Sequence, residues 1–164
     1  MKKLLGILSV LFVLLVGCSD PVQEEFLTYI NDDMSALAEL EMQAVSAYDS
    51  VTGANYTDDY TVYMALTEEI VPQYLLFIDG LEAIKPESEE IRSLHEQYIE
   101  AANIQHGAFT KLIFAIENQD AGEINEVNEM LATARKMMRD YEYEINKLAE
   151  EYDVEITKIT DNNL

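Results

Sequence analysis

The sequence predicts an all-α fold, an antiparallel up-and-down four-helix bundle. Two observations carry that expectation. Beyond residue 20, apolar residues recur in steps of three and four, the spacing that lines one face of a helix. The stretches that carry the pattern are joined by short connectors rich in Gly, Pro, Asn and Asp, and short connections make antiparallel neighbours. Hydrophobic residues make up 49% of the chain, which is too many for a disordered acidic tail and enough for one core.

The first helix is expected over residues 21–50, with Leu27, Ile30, Met34, Leu37, Ala44, Tyr48 and Val51 on its inner face. Thr52-Gly53-Ala54-Asn55 then reads as a loop. The second helix is expected over residues 57–85, with Ile70, Val71, Tyr74, Leu75, Ile78, Leu81 and Ile84 turned inward. Pro72 lies inside it. Its ring opposes the carbonyl four residues back, so it should kink the helix or divide it near Glu68.

The third helix is expected to begin at Pro86, where a missing N–H costs nothing, and Glu87, Glu89 and Glu90 suit its positive end. Its seam is Ile91, Leu94, Tyr98, Ala101, Gln105, Ala108, Leu112 and Ala115, widened by Phe109 and Ile116. After a turn around residues 118–122, Asp120 is placed to cap the fourth helix, with Glu123 three positions on as its box partner. This helix has the most regular seam: Ile124, Val127, Leu131, Ala134, Met138, Tyr141, Ile145, Leu148 and Tyr152. Each helix of about 30 residues would be roughly 45 Å long. The bundle domain is therefore placed at 22–153. The tail, 154–164, begins with alternating β-branched and charged residues and reads as a short extended piece or a frayed end.

The start of the chain has a different character. Lys2 and Lys3 precede an apolar run over residues 4–16 that is shorter than the roughly 20 residues needed to cross a bilayer. A charged start, a short apolar run and a small-residue end describe a secretory signal peptide, here 1–17. Leu15-Val16-Gly17-Cys18 resembles the lipobox read by signal peptidase II. That resemblance implies that Cys18 becomes the new N-terminus and carries the lipid, a reaction that needs a thiolate nucleophile. Residues 18–21 would then be a short tether, and the protein would sit on the extracytoplasmic face of the cell membrane. Two or more acyl chains make such an anchor durable. Cys18 is the single cysteine, so no disulfide can form within the chain.

Charge narrows the partners. The chain has 32 acidic residues against 10 basic ones, a net charge of −22, and losing Lys2 and Lys3 with a signal peptide takes this to −24. Such a chain repels nucleic acid and has no polybasic patch for anionic lipid. It attracts cations and basic partners.

The motifs of catalysis and cofactor binding are missing. A ferritin-like di-iron site needs Glu-x-x-His on two helices, but the residues three before His95 and His106 are Arg92 and Asn103. The two histidines lie eleven positions apart, about 16 Å along a helix, too far to share an ion. One cysteine excludes Cys-x-x-Cys-His haem attachment, and there is no Gly-rich phosphate loop and no Gly-x-Ser-x-Gly. No cofactor and no enzymatic activity are expected.

A few polar positions stand out. Gln105 interrupts an apolar seam and either sets helix register or marks a polar pocket between helices. His95, which flanks the seam, is expected to be bonded to a neighbouring helix, with a place in that pocket as the alternative. His106 is expected to face solvent. Arg135, Lys136 and Arg139 concentrate basic charge in the last helix, as ion pairs to acids on adjacent helices or as a contact for an anion or an acidic partner. Tyr56, Tyr60, Tyr63 and Tyr74 gather at one end of the second helix and either close that end of the core or form a binding surface.

The lipobox, followed by a wholly helical acidic chain, resembles the small helical lipoproteins of Gram-positive bacteria. The stretch Leu81-Glu82-Ala83-Ile84-Lys85-Pro86 through Leu94-His95 and Tyr98 is similar in style to that group. Some of its members are described as cell-wall-binding. The resemblance implies a partner in the envelope, either a protein or the wall itself. A non-enzymatic interaction or envelope-structure module is the function expected, with a small-ligand or cation-binding lipoprotein as the alternative.

Overall fold

The computed structural model describes residues 20–156, so the signal and lipobox expectations at residues 1–17 and Cys18 lie outside the described residues. The fold is all-helical, with no strand among the described residues. In order, the elements are α1 (Pro21–Thr28), a π-helical segment (Tyr29–Met34), α2 (Ser35–Val51), a 3-10 turn (Gly53–Asn55), α3 (Asp59–Ala65), a second π segment (Leu66–Ile70), α4 (Val71–Ala83), α5 (Glu89–Asn118) and α6 (Ala121–Glu151).

Chain punctuation sets the helix ends. Asp20 accepts a hydrogen bond from the Val22 amide at 2.9 Å, and Pro21 occupies the first turn, where it costs no bond. Asp58 accepts from the Thr61 amide at 2.9 Å and so caps α3. Asp120 caps α6 as expected, accepting from Gly122 at 2.9 Å and Glu123 at 3.4 Å. Glu123 does not reach back to complete the box. Its carboxylate turns to Lys111 on α5 at 2.8 Å, and Glu126 takes the same ammonium. Between α5 and α6, Gln119 adopts the left-handed conformation (φ 51°), and the Asp120 amide closes onto the Ala115 carbonyl at 3.0 Å.

The third long helix starts later than the sequence suggests, at Glu89 and not at Pro86. Ser88 precedes it in an extended conformation and makes no side-chain cap. Glu25, from α1, replaces that cap. Its carboxylate accepts from the amides of Glu87 and Ser88, the latter at 3.0 Å. A carboxylate at a helix N-terminus satisfies orphan N–H groups and complements the dipole.

In the second half of the chain the seams hold to the residue. All eight seam positions of α5 are buried, as are Val127, Leu131, Ala134, Tyr141, Ile145 and Leu148 of α6. The two helices are in contact from Tyr152–Glu90 through the Tyr98–Tyr141 ring stack to Lys111–Glu123.

The first half corrects the reading in two places. Leu27 and Leu75, expected inside, are 38% and 45% exposed, whereas Phe26, Tyr29 and Phe77 are buried. A π turn adds a residue to the helical repeat, so the residues before it are rotated by about 100° relative to those after. Across Tyr29–Met34 this replaces Leu27 by Phe26 and Tyr29 on the inner face. The second π segment ends just before Pro72 and contains Glu68, whose carbonyl the proline ring opposes. The helical path is continued there by a change of hydrogen-bond spacing. α2 packs closely on α4, where Gly80 faces Leu37 and a Cβ would collide with that side chain.

Of the tail, residues 154–156 have no regular structure, and the rest of that expectation lies outside the described residues. Val154 and Ile156 pack against the core, the Val154 amide closes onto Ala149 at 2.8 Å, and Gln23 of α1 donates to the Tyr152 carbonyl at 2.7 Å.

Candidate functional site

The core contains a chain of aromatic rings with polar ends. Tyr48 packs on Phe109, Phe109 on Tyr74, Tyr74 on Phe77 and Phe77 on Tyr98, at centroid separations of 4.9 to 6.1 Å. Tyr98 then stacks on Tyr141 at 4.4 Å. Tilted, edge-on and stacked pairs all occur here.

Buried hydroxyls need partners, and the partners form a directed path. His95 Nε2 lies 2.9 Å from the Leu81 carbonyl, which can only accept, so Nε2 carries the proton. In the neutral ring Nδ1 is then an acceptor and takes the Tyr29 hydroxyl at 3.2 Å. Tyr29 in turn accepts from the Tyr141 hydroxyl at 2.9 Å. Burial keeps His95 neutral by pushing its pKa down, against the opposing bond to Leu81, and Lys85 adds to the downward push. The same burial raises Tyr29 to about 12 and drives Tyr98 and Tyr141 well above the usual phenol value.

One carboxylate belongs to this cluster. The Tyr98 hydroxyl donates to Glu41 Oε2 at 2.7 Å. Burial raises the Glu41 pKa, the Tyr98 bond opposes that, and the charge of Glu142 adds to it. Nearby, the Tyr74 hydroxyl is buried with no hydrogen-bond partner, and its pKa is raised by burial and by the Glu41 charge.

Glu41 opens onto a groove of about 610 Å³ between the first π segment with α2 on one side and α6 on the other. Tyr98, Tyr141 and Phe77 line it, with Ile30, Met34 and Ile145 as its aliphatic wall. Glu41 and Glu142 are its charged residues.

The positions singled out by sequence fall in several places. His95 and Gln105 are both buried, but they stand ten positions apart on α5, about 15 Å along the axis, and neither lines this groove. His106 is half-buried, where a solvent-facing position was expected. Arg135, Lys136 and Arg139 are exposed. Lys136 pairs with Asp140 at 2.6 Å on its own helix, not across to another, and Arg135 and Arg139 form no ion pair among the described residues. Tyr56 and Tyr60 are exposed, Tyr63 is half-buried and donates to Glu117, and Tyr74 lies in the core, so these four do not form one surface.

The sequence reading missed Glu41, although a signal was present. The expected inner face steps from Leu37 directly to Ala44, and position 41 completes the four-then-three step between them. A carboxylate on an apolar seam marks a polar group carried inward.

Among the described residues, no group of three His, Cys, Asp or Glu side chains is arranged to hold a metal, and no helix is long and apolar enough to cross a membrane. Compared with known proteins, the chain matches no family model, no curated protein and no solved structure.

Proposed function

We propose that this protein is a lipoprotein anchored through acyl groups on Cys18 to the extracytoplasmic face of the cell membrane, with its helical domain acting as a non-enzymatic interaction or envelope-structure module. The observation that carries this reading is the lipobox Leu15-Val16-Gly17-Cys18 at the end of a signal-like segment, together with the absence of any second cysteine. The start of α1 supports it. Asp20 caps that helix, so only Ser19 and Asp20 would separate the lipid from folded structure, and the domain would stand against the membrane surface.

In this reading α1, the first π segment and α2 act as one rod and α3, the second π segment and α4 as another. With α5 and α6 they make a four-helix antiparallel bundle of the kind carried by the helical Gram-positive lipoproteins that the sequence resembles. The partner is a protein or a wall component. Anionic wall polymers would repel a chain this acidic unless divalent cations bridged them.

Metabolic labelling with an alkyne-bearing fatty acid tests the anchor. Label and membrane fractionation are expected for the native chain and are expected to vanish together in Cys18→Ser; label that survives the substitution overturns the anchor. Photo-crosslinking from the outer helix faces in cells tests the module. A reproducible protein or wall adduct from one face is expected, and no adduct from any face would remove the interaction reading.

The ligand-binding alternative is favoured by one specific observation, the groove beside Glu41, and not by the pair His95 and Gln105.

A further inference from the structure

The groove between the first π segment with α2 and α6 combines three features that belong to ligand sites. Its volume, about 610 Å³, falls in the range of small-molecule pockets. Its floor is a pair of stacked tyrosines whose hydroxyls are already engaged, Tyr98 with Glu41 and Tyr141 with Tyr29. Those hydroxyls are thus held, and the two rings, each over nine-tenths buried, form an aromatic lining with no free hydroxyl. One wall is a π-helical segment, an irregularity found often at functional sites.

Its charge is one-sided. Glu41 and Glu142 both line the groove, and among the described residues no Lys, Arg or His lines it and neither carboxylate forms an ion pair. The two more acidic grooves differ in this respect: one includes Lys147, paired with Glu144 at 3.2 Å, and the other includes Lys85. Glu41 gives one oxygen to Tyr98 and sits half-buried beside apolar side chains. A half-buried carboxylate next to another carboxylate, with no cation among the described residues of the lining, is an unbalanced arrangement that a positively charged group would relieve.

We propose that this groove binds a small organic ammonium ion with an apolar body, its charged head between Glu41 and Glu142 and its body over the Tyr98–Tyr141 stack. The head would donate charge-assisted hydrogen bonds to the carboxylates. The body would cover the Ile30, Met34 and Ile145 wall. A hydrated inorganic cation would use the carboxylates but leave that wall bare. The inference deepens the ligand-binding alternative and is independent of the anchor, which the Cys18 labelling tests separately.

The test is calorimetric titration of the full chain, held in nanodiscs of zwitterionic lipid with empty discs as the blank. The probes are phenethylammonium, its neutral counterpart 2-phenylethanol, and calcium. Phenethylammonium is expected to bind, and the alcohol at least about tenfold more weakly. Glu41→Gln keeps an oxygen for the Tyr98 hydroxyl and so preserves the fold's own bond; it is expected to reduce the ammonium affinity to the level of the alcohol. Glu142→Gln, at a more exposed position, should reduce it less.

Acidification supplies a further readout. The groups facing Glu41 are Tyr74 from α4, Tyr98 from α5, and Tyr141 and Glu142 from α6. The phenols are raised and stay protonated, so they do not change charge in the acid range. Because Glu41 protonates above the usual glutamate value of 4.5, ammonium binding to the native chain should weaken as pH falls toward that value. Equal binding of amine and alcohol, an unchanged affinity in Glu41→Gln, calcium binding without amine binding, or no heat from the amine would each overturn the proposal.

Discussion

Residues 21–83 and residues 89–151 are built on different rules. The second region is two helices, α5 and α6, of 30 and 31 residues, without a break in either seam. The first divides a comparable length among four α-helices, two π segments and a 3-10 turn. The regular region places its apolar side chains by the repeat alone. The irregular region places Tyr29 and lines the groove by departing from the repeat. Regular packing makes a surface, whereas the shift of register turns Tyr29 inward, where its hydroxyl finds partners on the regular side. Tyr29 and Glu41 come from the irregular side and meet His95, Tyr98 and Tyr141 from the regular side.

The strongest way to break this comparison is to cut the apolar link between the regions. Phe109 of α5 is 1% exposed and touches Tyr48 of α2 and Tyr74 of α4. Phe109→Ala should cost about 3–5 kcal/mol, from lost transfer energy and the cavity left behind. Chemical denaturation measures the loss and hydrogen exchange locates it. Protection is expected to fall in both regions together; a fall confined to residues 21–83 would show that α5 and α6 are stable without the other half.

A smaller change sharpens the polar side of the contrast. Tyr29→Phe keeps the ring and removes only the hydroxyl. His95 Nδ1 loses its donor and the Tyr141 hydroxyl loses its acceptor, both in buried positions. The expected cost is about 1–3 kcal/mol, set by the groups left unsatisfied more than by the bonds removed. Tyr141→Phe leaves Tyr29 still donating to His95, so it should cost less. Equal costs in denaturant midpoints would mean that the path is not directed from Tyr141 through Tyr29 to His95.

The same contrast explains what could be read before the structure. The α5 and α6 seams were legible because nothing interrupts a repeat of three and four, and the Asp120 cap was legible because cap chemistry is local. Leu27 and Leu75 were misplaced because the local apolar pattern permits two registers, and the choice between them depends on tertiary packing. The irregularity at Pro72 was foreseeable from proline chemistry, but its form as a π segment was not. The start of α5 was missed because its cap, Glu25, lies more than sixty positions earlier in the chain. Of the candidate site, Tyr98 and Tyr141 were recognisable as core positions and Glu41 as an acid between two inner ones. That they meet depends on helix neighbours that sequence spacing does not specify.

The smallest expected effect lies at the junction of α5 and α6. Gln119 holds φ at 51°, a left-handed conformation that costs a residue with a Cβ but not glycine. The surrounding bonds require it: the Gln119 amide meets the Ile116 carbonyl at 3.2 Å and the Asp120 amide meets Ala115 at 3.0 Å, which ends α5 and delivers Asp120 to cap α6. Gln119→Gly should therefore stabilise the protein by about 0.5–1 kcal/mol, the strain relieved less the extra freedom of the unfolded chain. A modest rise in the denaturation midpoint with unchanged denaturant sensitivity would fit. A fall would mean that the glutamine side chain contributes more than its backbone strain costs, and that the most regular part of the fold depends on a contact its repeat does not explain.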